Sequence, residues 1–423
     1  MLRMQRSFIH AIAVAAVFGS TWPATAQTPR GLDPERARNI DLVLERYVEE
    51  GRIAGAVALV MRDGQVVYEG VAGWADIEAG RPMTADAIFR IASQTKAITS
   101  ALVMMLVEEG RINLNDPITR WMPTFANSTV AVTGEDGEVE FVRARRAITV
   151  QDLLTHTAGI SYGTESTISG LYAEAGLGPA AGYGWHTADK DETICDSMDR
   201  LGPLPKTRHP GEAFVYGYNT DILGCIVERA SGMPLDEFMR TRLTEPLGMK
   251  DTHFFLPENT PRERLVTVYT YNNASGGPVR TVEGPRGQGS YVDGPRRNFS
   301  GGAGLLSTAH DYARYLEMIR NGGELDGVRY LSRRSVELMS TNQVGALRGA
   351  TGLGFGLGFE TVDRLGAAGL ASVGSFGWSG AYGTQYRVDP EEGLVMVLMI
   401  QMIPFSGPGI REAFTSAVYG ALD

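Results

Sequence analysis

The sequence predicts a mixed α/β (α+β) protein: an antiparallel sheet built from both chain ends and flanked by helices, plus a mostly helical lobe. Three observations lead there. Residues 55–74 hold two β-rich runs, AVALVMR and QVVYEGVAGW, split by Asp63-Gly64, which is a hairpin signal. Near the C-terminus GTQYRVDPEEGLVMVLMIQ repeats the pattern around the turn Asp389-Pro390-Glu391-Glu392-Gly393. Between these ends helical patterns dominate, and no internal repeat or long linker interrupts the chain.

The first 26 of the 423 residues read as removable, which leaves 423 − 26 = 397. At roughly 150 residues per domain this allows one large or two ordinary domains. We read 27–423 as one domain, with an α/β lobe about 31–92 and 300–423 and a helical lobe about 93–299. Hydrophobic residues at 43% and charged residues at 21% are globular values, which excludes disorder, collagen and coiled coil. The net charge of −10 argues against a nucleic-acid partner, because the only basic run, Arg143-Ala144-Arg145-Arg146, is short and reads as a solvated turn.

Residues 1–26 have the layout of a secretory signal peptide: Arg3 and Arg6, an apolar run from Phe8 to Phe18, and the cleavage site Ala24-Thr25-Ala26. The apolar run is too short to span a bilayer, and so are Ala101–Val107 and Leu394–Ile400. The expectation is an exported protein, periplasmic or extracellular, with no stable membrane insertion after cleavage. Asp33-Pro34 then starts an amphipathic helix to about Glu50. Cys225, in the apolar helical stretch ILGCIVERA, reads as a buried thiol, while the oxidising compartment leaves a bridge to Cys195 open. Gly159–Gly184 and Asn272–Gly304 have weak periodicity and read as long loops of the kind that shape binding sites. A last helix, Arg411–Leu422, closes the chain.

Two serine motifs compete for a nucleophile's role. Gly159-Ile160-Ser161-Tyr162-Gly163 fits G-x-S-x-G, a pattern that needs a strand before it and a helix after it. Here VQDLLTH before it is helix-like and TESTISG after it starts no helix, so Ser161 reads as a loop residue. Ser93-Gln94-Thr95-Lys96 is S-x-x-K, and from Ile98 the sequence ITSALVMMLVEEG is apolar around nearly its whole circumference, as a buried helix is. Ser93 and Lys96 share one face at the start of that helix. An amine held in a cleft there can take the serine proton, and the helix N-terminus favours developing negative charge.

In this order the motifs resemble the serine β-lactamase and D-Ala-D-Ala-peptidase superfamily, in its class C-like branch and closest to that branch's esterases. The segments are Phe89–Lys96, Asp152–Gly159, Pro210–Tyr216, Leu223-Gly224, Glu245–Met249, Gly301–Leu305 and Phe376–Thr384, spanning nearly the whole mature chain. The resemblance implies a β-lactamase/penicillin-binding-protein-like fold. It implies Ser93 as acylated nucleophile and Lys96 as its proton partner. Tyr216 takes the tyrosine of the family's Tyr-x-Asn, and the backbone N–H groups of Ser93 and Ala381 form the oxyanion hole. Which of Lys96 and Tyr216 removes the proton stays open. Two departures stand out. Tyr218 replaces the Asn of Tyr-x-Asn, with Asn219 one residue later, and Trp378-Ser379-Gly380 replaces Lys-Thr-Gly. The cation that engages a β-lactam carboxylate is therefore missing, unless Arg296 or Arg297 supplies one. Trp378, Ser379, Gly380 and Tyr218 are the implied substrate contacts. His156, His209, His253 and His310 lack metal-ligand spacing, so no metal and no cofactor is expected; His156 reads as structural and His310 as a helix-surface residue after a Ser307 cap. The expected activity is a carboxylesterase on a small-molecule ester or amide. The alternatives are a β-lactamase or D-amino-acid peptidase on the same fold, or a non-catalytic penicillin-binding-like protein.

Overall fold

Strands from the two chain ends meet side by side in one eight-stranded antiparallel sheet. The computed structural model describes residues 31–177, 188–281, 289–403, 405 and 409–422; the signal-peptide reading falls outside the described residues. Helix α1 (Pro34–Glu49) is capped by the Asp33 carboxylate, which accepts from the Glu35 and Arg36 N–H groups. Strands β1 (Gly55–Arg62) and β2 (Gln65–Asp76) turn at Asp63 and Gly64, both at positive φ, as a tight two-residue hairpin requires. A short β3 (Arg81–Pro82) follows. From the C-terminal part come β4 (Leu353–Phe355), β5 (Glu360–Val362), β6 (Phe376–Ser379), β7 (Gln385–Asp389) and β8 (Leu394–Ile400). The strand order is β4-β5-β6-β7-β8-β1-β2-β3, joined at the centre by register Ala56↔Ile400 to Arg62↔Leu394.

The two central strands are apolar on both sides because both sides are covered. Ala56, Ala58, Val60, Met396 and Leu398 pack with Ile40 and Leu44 of α1 and Phe414 and Val418 of the last helix. Their neighbours Val57, Leu59, Val395 and Val397 join the larger core on the opposite face. That alternation is the strand's two-residue period. The larger core contains helix α2 (Thr95–Glu108), buried at every position from Thr95 to Leu106, as its all-round apolar sequence predicts.

The helical lobe places α3 (Ile194–Leu201) and α4 (Asn219–Ser231) against each other, and α4 also packs on α2. Here the thiol reading of Cys225 is corrected: the residue is buried, but it is disulfide-bonded to Cys195, tying α3 to α4. The stretches read as loops carry short elements too, a helix at Ser169–Glu174 and a hairpin of Tyr269–Asn272 with Gly277–Arg280. Helix α5 (Ala309–Arg320) is capped by Thr308, not Ser307, and His310 on its surface meets Glu69 at 2.7 Å. The last helix, α6, spans Ile410–Gly420. Among the described residues no helix is long and apolar enough to cross a membrane.

The bridge closes a loop of 30 residues, and restricting such a loop in the unfolded chain is worth roughly 3–4 kcal/mol. Thiol reductant is therefore expected to lower the thermal midpoint by several degrees. Identical melts of oxidised and fully alkylated protein would refute that stabilisation.

Candidate active site

Ser93 lies in a tight turn, Ala92–Gln94, between a strand pair (Phe89–Arg90 with Leu306–Ser307) and α2. The residue before it, Ala92, has φ 44°. A non-glycine residue in the left-handed region is strained, and such strain persists only where packing imposes it. The turn leaves Ser93 at the head of the buried helix with 9% of its surface exposed.

Lys96, one turn on, is 2% exposed. Its Nζ lies 3.4 Å from Ser93 Oγ, 3.1 Å from Tyr162 Oη and 2.7 Å from the Gly302 carbonyl oxygen. It also stands 4.6 Å from the centre of the Tyr216 ring, a cation–π distance. Tyr216 thus meets Lys96 with its face, while its hydroxyl accepts from Trp378 Nε1 at 3.2 Å. The Tyr162 and Tyr216 hydroxyls interact as well, and burial with the neighbouring acidic groups pushes Tyr162 well above the usual phenol range. Tyr162 therefore stays protonated.

Sequence reasoning passed over Tyr162, which sits inside the rejected G-x-S-x-G. The serine of that segment behaves as a loop residue: Ser161 Oγ donates to Glu165 at 2.6 Å and accepts from the Gly163 N–H. Tyr218, the implied substrate contact, is buried against Tyr162, with 4.9 Å between ring centres, and its hydroxyl donates to Leu177 O. It stands behind Tyr162. Asn219 points elsewhere, its Nδ2 reaching His156 Nδ1, Ile160 O and Val215 O. His156 packs 4.7 Å from the Tyr216 ring. Burial first, then the charges of Lys96 and Arg348, hold its pKa well below the usual histidine value, so it is neutral.

A second missed residue is Asp221 on α4. Its carboxylate accepts from Ser300 Oγ at 2.5 Å and from the Gly302 N–H at 3.1 Å, under the carbonyl that holds Lys96. Burial raises its pKa, against the opposing pull of Lys96 and these two hydrogen bonds. Gly302 has no room for a side chain: a Cβ would lie 2.4 Å from Asp221 Oδ2.

Opposite α2, β6 ends at Trp378-Ser379 and is followed by Gly380 and Ala381. A Cβ on Gly380 would stand 2.4 Å from Ile91 O, so glycine lets this strand end approach the Ser93 turn. Among the described residues none accepts a hydrogen bond from the Ala381 N–H. Neither arginine considered from the sequence reaches the site. Arg296 donates to Leu256 O and Val292 O, and Arg297 pairs with Asp191. The nearby guanidinium is that of Arg348, 5.7 Å from the centre of the Trp378 ring and paired with Glu360 at 2.8 Å. Among the described residues no cluster of His, Cys, Asp or Glu could hold a metal ion.

The family model described as Beta-lactamase matches residues 40–408. Esterase EstB of Burkholderia gladioli is 34% identical over 90% of this chain and 95% of its own length. Monacolin J acid methylbutanoyltransferase of Aspergillus terreus is 25% identical over 90% of this chain and 95% of its own. Among solved structures, EstCE1, a hydrolase with promiscuous acyltransferase activity, superposes with a TM-score of 0.77 at 27% identity, covering 92% of this chain and 99% of its own.

The neutral, buried His156 links stability to pH. Its folded pKa is depressed, so below the ordinary value of 6.5 the unfolded chain binds a proton there that the folded protein does not. Stability from this residue is lost as pH falls through about 6.5. Wild type should therefore lose urea stability on acidification more steeply than His156→Gln, by up to about 1.4 kcal/mol per pH unit. Parallel pH dependences would mean that His156 is protonated inside the fold.

Proposed function

The chain belongs to the beta-lactamase family, and from that premise we propose that it is an exported serine carboxylesterase that cleaves short-chain esters through an acyl-enzyme on Ser93. The observation that carries this reading is the contact set of Lys96. Gly302 O and Tyr162 Oη hold the amine at 2.7 and 3.1 Å, and Nζ stands 3.4 Å from Ser93 Oγ, within reach of the serine proton. Ser93 Oγ then bonds to the ester carbonyl carbon while its proton moves to Lys96. The carbonyl oxygen becomes an oxyanion beside the N–H groups of Ser93 and Ala381, each donor of this kind being worth ~10²–10³ in rate. The C–O bond to the alcohol breaks, the alkoxide takes the proton back, and water repeats the sequence on the acyl-enzyme. Tyr216 and Tyr162 hold the amine from its ring side and its hydrogen-bonding side.

The ester preference rests on charge. A β-lactam carboxylate must be desolvated beside the strand that carries Trp378, and an unpaired buried carboxylate is expensive. The indole N–H is engaged by Tyr216, and the Arg348 charge is neutralised by Glu360. An uncharged acyl ester needs neither. The disulfide fits an oxidising compartment and so supports export.

Ser93→Ala is expected to abolish p-nitrophenyl butyrate hydrolysis and phosphonate labelling, whereas Ser161→Ala keeps most of both. Loss of labelling through the Ser161 change alone, in folded protein, would reverse the assignment.

On one preparation, kcat/KM for p-nitrophenyl butyrate should exceed that for nitrocefin by orders of magnitude. Nitrocefin turnover equal to or above the ester's would overturn the esterase reading in favour of a β-lactamase.

A further inference from the structure

Helix α6 carries a cation at the wrong end. Arg411 is the second residue of α6, where the helix dipole disfavours positive charge. Burial adds to that cost and lowers its pKa to about 10. The compensation is local: Nη2 donates to Gly380 O at 2.6 Å and to Thr384 O at 3.2 Å, Nε donates to Gly383 O at 3.2 Å, and the guanidinium stacks 4.4 Å from the Phe405 ring centre. All three carbonyls belong to the turn between β6 and β7 that contains Ala381.

The shortest of these bonds matters most. Gly380 O and the Ala381 N–H are the two ends of one planar peptide group, and in a trans peptide they point in opposite directions. Drawing the oxygen toward α6 turns the N–H away from α6. Gly380 itself lies against Ile91, beside the Ser93 turn, and Ala381 packs with Ala92. A charge-assisted bond to the oxygen also polarises the peptide and strengthens its N–H as a donor. We propose that Arg411 is a positioning residue for the oxyanion hole, holding the Gly380–Ala381 peptide with its N–H aimed at the substrate carbonyl on Ser93. The inference rests on the reading above, in which Ser93 is acylated and the Ala381 N–H receives the oxyanion. Arg411 touches no reacting atom and acts through the peptide alone.

The same face offers a way to test it. Arg411 lines a cavity of about 500 Å³ together with Ser379, Gln385, Arg387 and Glu412. A free guanidinium ion can enter there when the side chain is shortened. Arg411→Ala is expected to lower kcat for p-nitrophenyl butyrate by about 10–100-fold with KM nearly unchanged, as loss of an aimed oxyanion donor does. Millimolar guanidinium chloride should restore part of that kcat, while methylammonium chloride and guanidinium added to wild type should not raise activity. Binding of a phenylboronic acid, whose tetrahedral adduct mimics the oxyanion, should weaken in step with kcat/KM. Arg411→Lys, which keeps the charge but loses the fork across three carbonyls, should fall in between and remain a measure if the alanine variant does not fold. A folded Arg411→Ala with wild-type kcat overturns the proposal, and so does a loss that guanidinium does not relieve and boronate affinity does not follow. Failure of the underlying reading looks different: mass spectrometry of wild-type protein with a slow ester would find no acyl group on Ser93.

Discussion

A lysine amine with 2% exposure has almost no water to bind, so each of its hydrogens must find an acceptor in the protein. Lys96 does so by drawing on three separate segments. Ser93 comes from its own turn, Tyr162 from the loop after residue 159, and Gly302 from the loop that precedes α5. The site therefore exists only when those segments are in register. The chain fixes them with bonds that do not involve the amine: Thr99 Oγ1 donates to Gly301 O, and Thr95 Oγ1 accepts from the Leu305 N–H. Asp221 clamps the other side of the 300–302 segment. The pair of glycines follows from this crowding, since a Cβ on Gly301 would stand 2.7 Å from Thr220 O.

The sheet brings in the other half. Strands β4 to β8 come from the last third of the chain, and the pairing of β8 with β1 ties them to the N-terminal part that leads into α2. Ser93 and the facing wall are thus far apart in sequence and are brought together by the β8–β1 pairing and by the Gln401 side chain on the Arg90 backbone. Glycine at 380 settles how close they come. The left-handed Ala92 is the counterpart on the nucleophile's side, a small residue accepting strain of about 1 kcal/mol or more so that the chain can turn into α2 at once.

What the sequence made legible divides along the range of the interactions. Local signals transferred well. The Asp33-Pro34 cap, the Asp63-Gly64 turn, the alternating strands and the uniformly apolar α2 all reflect neighbours within a few residues, and each lies where its pattern placed it. The β-lactamase resemblance supplied the order of the remaining segments. Residues whose placement depends on contacts across the fold were not legible. Tyr162 was hidden in a motif rejected for its serine. Asp221 is an acid in the first turn of α4, and nothing local marks its position under Gly302. Arg348 was passed over for Arg296 and Arg297, because no spacing rule says which arginine folds over Trp378. The bridge between Cys195 and Cys225 was equally beyond spacing, since 30 intervening positions do not fix whether α3 and α4 lie side by side.

Trp378 organises the aromatic side of the cleft. The indole takes the Tyr216 hydroxyl, and Phe355 packs edge-on at 5.4 Å on the same ring. Arg348 adds a cation over the aromatic surface of Phe214 and Trp378, yet Glu360 stands against its guanidinium. His156, packed beside Tyr216, is held neutral by burial and by these same cations. Lys96 reaches Ser93 Oγ at 3.4 Å, and the buried Asp221, whose pKa burial raises, feels the opposing pull of that amine. A site arranged in this way exerts little net pull on an incoming anion. Under the proposed acyl-enzyme reading, selectivity then depends on the shape of an aromatic wall and on where charge develops, at a carbonyl oxygen between two peptide N–H groups, and such a wall favours an acyl chain that brings no charge of its own.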